Sequence, residues 1–203
     1  LFPFFVISDL LITYNFIDYI PNKIKKYICR LLNISDSALS ILILSMVSGF
    51  PSNGRNTHNL YNKGKISMEE ASYILMYTHF SSPVFILTTC SLIYLRSEKL
   101  GIILLLSHYL SNIFIGILFR NINNPSLDNS TIKEHKSQNF TINLIKSIRS
   151  SIDSLLLILG ILTVFLIISS LIINIIHSNL YTSAIIRSIL EMTLGLKYIA
   201  NLN

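Results

Sequence analysis

Ser48, Gly49, Pro51, Ser52, Asn53 and Arg55 crowd into one short stretch, Ser-Gly-Phe-Pro-Ser-Asn-Gly-Arg, at the end of an apolar run that carries no charge from Ser37 to Gly54. Gly49, Pro51 and Gly54 stop a helix there. In hydrocarbon an unpaired backbone N–H or C=O costs several kcal/mol, so such a break survives only where protein buries it or a cavity wets it. Transporters place broken helices at their substrate sites. A half-helix starting near Ser52 would aim free N–H groups at the gap. Such a terminus favours an anion by ~0.3–1 kcal/mol. With Arg55 beside it, the chemistry suits a carboxylate. The plainer alternative is that Arg55 opens an aqueous loop and snorkels to headgroups.

A second group of candidates lies further along. His79 precedes Ser81-Ser82-Pro83, where proline removes a helix hydrogen bond and predicts a kink or full unwinding. A histidine there could titrate near neutral pH and gate movement, or simply bond a neighbouring helix. Glu191, with Thr193 next to it, is an acid in a membrane-compatible helix; that costs roughly 2.5–3.5 kcal/mol on insertion scales and calls for a cavity or a partner. It could hold a cation or proton, or pair with Arg187 one turn earlier. His108 and Asn112 suit an interhelical polar contact, and Asp9 suits a basic partner across the bundle.

Enzyme signatures are missing: there is no His-Glu-x-x-His, no Gly-x-x-x-x-Gly-Lys and no Gly-x-Ser-x-Gly. Cys29 and Cys90 lie far apart without metal-ligand spacing, and Cys90 reads as a small packing residue. No catalytic residue, metal or cofactor is expected, and the chain is not read as an enzyme.

The elements that must carry these residues follow from composition. Of 203 residues, 51% are apolar and 13% charged, against about 25% charged in soluble domains. Residues 154–176 contain no ionisable side chain; at ~1.5 Å per residue they exceed a ~30 Å hydrocarbon core. Five apolar elements are expected: 1–20, kinked near Pro3; 37–50; 68–94, interrupted at Pro83; 100–119; and 152–176. The basic stretch Asn22–Asn33 is amphipathic and should lie in the interface. Residues 55–66 read as a polar connector, and Ser67-Met68-Glu69-Glu70 as a capping box.

The net charge of +6 sits between membrane segments, so it faces the lipid bilayer's headgroups and not nucleic acid. If all five elements cross, one side holds six loop cations and the other eight, which sets no orientation. Leu1 lies within an apolar helix and the end stops in mid-pattern, so the chain is expected to be a fragment.

Residues 37–52 align without gaps onto 183–198. Ser37, Ala38, Ile43, Leu44, Met46 and Gly49 match Ser183, Ala184, Ile189, Leu190, Met192 and Gly195. Read as an internal repeat, this gives a first membrane repeat over 1–120, a polar loop over 121–139 and the start of a second repeat over 140–203. Glu191 then stands where Ser45 stands in the first copy, and the break after Gly49 acquires a partner near Gly195. The fold class is an all-α polytopic membrane helix bundle with broken helices.

Several spaced motifs carry a family resemblance. They are Ser48-Gly49-Phe50-Pro51-Ser52, Asn59-Leu60-Tyr61-Asn62-Lys63-Gly64-Lys65-Ile66-Ser67 with Glu70-Ala71, and Ser82-Pro83-Val84-Phe85-Ile86-Leu87. Leu1-Phe2-Pro3-Phe4-Phe5 and Leu190-Glu191-Met192-Thr193-Leu194-Gly195 fit the same pattern. The chain resembles the YlbJ family of sporulation integral membrane proteins, which carries the nucleoside recognition or Gate domain. The resemblance implies a multi-pass protein of endospore formers, made in the mother cell and sited in the outer forespore membrane. It also implies a part in moving dipicolinic acid, a small dicarboxylate, into the forespore. Two departures stand out: Asn53-Gly54 replaces the Gly that many relatives place after Pro-Ser, and Leu194 replaces an Asn before the late Gly. Three readings follow: a permease for a small anionic solute such as dipicolinate, a nucleoside-type permease, and a membrane scaffold that transports nothing.

Overall fold

The computed structural model describes residues 2–122, 139–176 and 179–190. Among the described residues every regular element is helical. Helix α1 (Phe2–Thr13) carries Pro3 in its first turn, where a missing N–H costs nothing. Pro3 therefore starts the helix and does not kink it. Asn15, at φ 47°, turns the chain into a 3-10 segment, Phe16–Tyr19. The expected element over 1–20 is thus a helix of 12 residues followed by a turn.

Helix α2 (Asn22–Leu32) ends at Asn33, φ 55°. Ser35 then caps α3 (Asp36–Ser48) by accepting the Ala38 N–H at 3.1 Å. The two axes differ by 92°. The Lys25–Asp36 ion pair at 2.7 Å braces that corner. A right angle at this corner is what an amphipathic α2 in the interface beside an upright α3 would need. Burial pushes the half-buried Cys29 thiol of α2 up to about 12. Alkylation at pH 8 should therefore run orders of magnitude slower than for a free cysteine, which timed iodoacetamide labelling with mass spectrometry would check.

Helix α4 (Ser52–Asn62) occupies most of the stretch expected as a connector. Helix α5 (Met68–Tyr77) begins at Ser67, whose hydroxyl accepts the Glu70 N–H at 3.1 Å. The Ser67 half of the capping box is present, and the Glu70 carboxylate works across the bundle: buried Glu70 accepts the Ser35 N–H at 2.6 Å. A π-helical segment, Phe85–Leu95, follows. Arg96, at φ 50°, then reverses the chain into α6 (Glu98–Phe119). A Cβ on Gly101 would lie 2.2 Å from Ser91, so only glycine lets these two antiparallel segments close so tightly. Helix α7 (Phe140–Ile176) and helix α8 (Leu180–Leu190) complete the described chain.

Helix α3 is the centre of the core. Ala38, Leu39, Ile41, Leu42 and Leu44 are buried against Tyr73, Ile74, Tyr77 and Phe80. The Tyr73 hydroxyl lies 2.8 Å from the Leu32 carbonyl and 2.6 Å from that of Gly116, joining α5 to α2 and α6. Helix α7 lays Asn143, Ser147 and Ser151 inward beside α1, small side chains that permit close approach. Helices α6 and α7 turn rows of leucine and isoleucine outward, including Leu106, Leu110, Leu156, Leu157 and Leu159. Lipid is the solvent that fits such faces. Of the five expected spans, only those within 98–122 and 140–176 are long and apolar enough to cross alone, and the bent pair α2–α3 raises the number to three. The element 68–94 is two shorter helices because the backbone unwinds between them.

Candidate solute site at two crossed helix breaks

The first break lies between α3 and α4. Gly49 adopts φ 74°, ψ −175°, the Phe50–Pro51 peptide is cis, and α4 restarts at Ser52. The second lies after α5, where residues 78–82 are non-helical before the chain coils again at Pro83. Of the two outcomes expected at Ser81-Ser82-Pro83, the structure takes full unwinding. The breaks meet. Phe50 N–H donates to the Phe80 carbonyl at 2.6 Å, and a Cβ on Gly49 would sit 2.5 Å from Ser82 N.

Helix α6 services both breaks. The Tyr109 hydroxyl lies 2.5 Å from the Met46 carbonyl and 3.3 Å from that of Ser81. His108 Nε2 accepts the Ser81 N–H at 3.0 Å, and Asn112 Nδ2 lies 3.4 Å from the same nitrogen. His108 thus makes the interhelical contact its position suggests. Broken backbone that is buried from water demands such partners.

Around this crossing most of the expected residues assemble. Ser48 and Ser52 are buried with their hydroxyls in contact; Ser48 donates to the Leu44 carbonyl and Ser52 to that of Gly49, each at 2.6 Å. Asn53 is fully buried. Its Nδ2 lies 3.5 Å from Thr78 Oγ1 and 3.3 Å from His79 Nδ1, whereas its Oδ1 has no partner. His79 is exposed beside the Phe50 ring, at 5.8 Å between centroids. Phe50 is itself 62% exposed, so the crossing reaches the surface there. Ser82 is half-buried and accepts the Phe85 N–H at 3.2 Å. Glu191 and Thr193, and the second break expected near Gly195, lie outside the described residues. The partner the structure gives the first break is the Ser81-Ser82-Pro83 segment.

Arg55 neither opens an aqueous loop nor snorkels. It sits in the first turns of α4 with its side chain only 10% exposed. Its Nη2 lies 2.8 Å from Asp9 Oδ2 and 2.8 Å from Ser150 Oγ; its Nη1 lies 3.4 Å from the Phe5 carbonyl. The guanidinium also stands over the Phe5 ring, 5.3 Å from its centroid. Asp9 therefore has the basic partner its sequence context suggests. One guanidinium ties α4 to α1 and α7.

Sequence reasoning passed over Asn56 and Tyr77. Asn56 is fully buried with neither amide atom hydrogen-bonded, and the buried Tyr77 ring packs on that of Tyr73, 5.1 Å between centroids. The signal was present: Ser52, Asn53, Asn56, Thr57 and Leu60 mark one face of a helix, and all five are buried. Reading 55–66 as a connector hid it. Each unsatisfied buried group costs ~1–3 kcal/mol, so the unpartnered amide atoms on this face are its most costly feature. Among the described residues no group of three or more His, Cys, Asp or Glu side chains could hold a metal.

Lipid-facing helices around two unwound, crossed segments define an all-α integral membrane protein. In sequence, the chain is similar to the sporulation integral membrane protein YlbJ of Bacillus subtilis (strain 168), at 28% identity over 120 residues, which are 59% of this chain and 29% of that relative. No family model matches the chain. No solved structure matches it either.

Proposed function

We propose that this chain forms part of a sporulation membrane permease for a small anionic solute, with dipicolinate the best candidate. The membrane that fits this role is the outer forespore membrane. The observation that carries the reading is the meeting of two unwound segments beside a buried polar face where Asn53 Oδ1 and both Asn56 amide atoms lack partners. The solute would bind at Ser48, Gly49, Pro51, Ser52 and Asn53, with Ser82 and His79 at the surface end and Arg55 supplying positive charge. Glu191 and Thr193 would contribute from the second repeat. The proposed organisation is a Gate-like repeat over 1–120, a loop over 121–139 and a second repeat opening at 140. In its support, residues 183–190 are helical like their counterparts 37–44. Solute movement needs no covalent chemistry, so the chain is not an enzyme on this reading.

One observation favours the nucleoside-type alternative. Arg55 is already neutralised by Asp9, and the unpartnered atoms at Asn53 and Asn56 belong to neutral amides suited to a base or ribose. Proteoliposomes carrying the full-length protein would separate the readings. Labelled dipicolinate should accumulate and labelled uridine should not. Uptake of uridine alone would replace the substrate, and uptake of neither would favour the scaffold.

Asn56 provides a sharper test than the break itself. Asn56→Leu removes two unpaired buried polar atoms, so stability should hold or rise. Uptake should nevertheless fall to background. A variant that is stable and still transports would remove Asn56 from the solute path.

A further inference from the structure

The Asp9–Arg55 pair is asymmetric in a way a permanent structural bridge need not be. Nη2 of Arg55 serves both Asp9 Oδ2 and Ser150 Oγ at 2.8 Å each. Its Nε–H is buried and has no hydrogen-bond partner. The Nε/Nη2 edge of a guanidinium is one that grips a carboxylate with two parallel bonds, and Asp9 uses only half of it. The second Asp9 oxygen instead accepts from Asn59 Nδ2 at 3.4 Å, one turn further along α4. Lys63 follows one turn beyond Asn59, close enough for its charge to act on Asp9.

We propose that Asp9 is the resident counter-anion of Arg55 and that an entering solute carboxylate displaces it. The inference rests on the anion-permease reading and adds how its positive site is kept and released. A buried guanidinium without a counter-ion is strongly disfavoured, so Asp9 fills that role while no solute is bound. The solute takes Nε–H with one oxygen and the Nη2 bond of Asp9 with the other. Ser150, the Phe5 carbonyl and the Phe5 ring hold the guanidinium in place meanwhile. Asp9 moves toward Asn59 and Lys63, which keep its charge accompanied. Its return then competes the solute off. Asp9 thereby sets affinity against release, and its carboxylate selects for solutes that carry a carboxylate of their own.

Two measurements on the detergent-solubilised full-length protein test this, and the first needs no transport. In Asp9→Asn, Arg55 lacks its counter-anion, so inorganic phosphate should raise the thermal midpoint; wild type should show little response. The double variant Asp9→Asn with Arg55→Gln should lose that response. A folded Asp9→Asn protein that ignores phosphate, or a double variant that keeps the response, overturns the proposal. The second measurement uses wild type and so does not depend on how the variant folds. Carbodiimide labelling of Asp9 should rise when dipicolinate, shown to bind by equilibrium dialysis, is added. Unchanged labelling with bound dipicolinate overturns the exchange. Absence of dipicolinate binding counts against the permease substrate instead, and the phosphate arm still decides the role of Asp9. In proteoliposomes, Asp9→Asn should lower the half-saturating dipicolinate concentration roughly tenfold while slowing turnover.

Discussion

Gly49→Ala is expected to abolish uptake and to cut the amount of folded protein in the membrane several-fold, although it adds one methyl group. Two costs coincide at this residue. Its φ of 74° with ψ near 180° is a region essentially reserved for glycine, worth ~1–3 kcal/mol for any other residue. The new methyl would also meet the Ser82 backbone, with its amide nitrogen at 2.5 Å and Cα at 2.9 Å, and backbone cannot rotate aside as a long side chain can. Overpacking of this kind costs a further ~1–3 kcal/mol. Either the two breaks separate or the Phe50–Phe80 hydrogen bond is lost. Gly54→Ala is the control, because a Cβ there has nothing within 4 Å and no positive φ to strain. It should leave both abundance and uptake near wild type. Immunoblotting of membrane fractions beside uptake would read both variants.

Arg55→Gln alone is expected to destabilise by about 3–5 kcal/mol, the usual consequence of stranding one partner of a buried pair. Asp9 is 17% exposed at its side chain, which places the effect toward the lower end of that range. The loss should appear as a lower thermal midpoint in detergent, and it confounds any reading of lost transport. Asp9→Asn combined with Arg55→Gln removes both charges and leaves groups that can still hydrogen-bond to each other and to Ser150. Most of the stability should return, and dipicolinate uptake should not. If the double variant transports normally, Arg55 holds helices together and does nothing for the solute. If the single variant is as stable as wild type, the pair is wetter than its burial implies.

The contrast between these two sites shows what the sequence could and could not convey. The break at Gly49-Phe50-Pro51 was legible because glycine and proline act locally; at Ser81-Ser82-Pro83 an interruption was legible, but not the choice between a kink and full unwinding. That the two breaks touch was not legible. Contact between Gly49 and Ser82 depends on the turn at Lys63-Gly64, the cap at Ser67 and the packing of α5 on α3. The buried face of α4 was missed for another reason. Ser-Asn-Gly-Arg-Asn-Thr-His-Asn has the composition of a loop, and only tertiary packing holds it as a helix. Arg55 had two sequence readings because its partner is Asp9, 46 positions away. The span over 1–20 came out short because Asn15 tolerates a left-handed backbone, a property apolar periodicity does not register.

Thiol accessibility at position 56 weighs most directly on whether the crossing of the breaks is open to water. The variant is Asn56→Cys in full-length protein whose Cys29 and Cys90 are replaced by serine, assayed in intact membranes with a membrane-impermeant methanethiosulfonate. Labelling at that position, slowed by saturating dipicolinate, is the expected result. A thiol there that stays unlabelled, while Asn62→Cys at the exposed end of α4 reacts fully, would mean that the polar face is sealed and that no solute passes beside it.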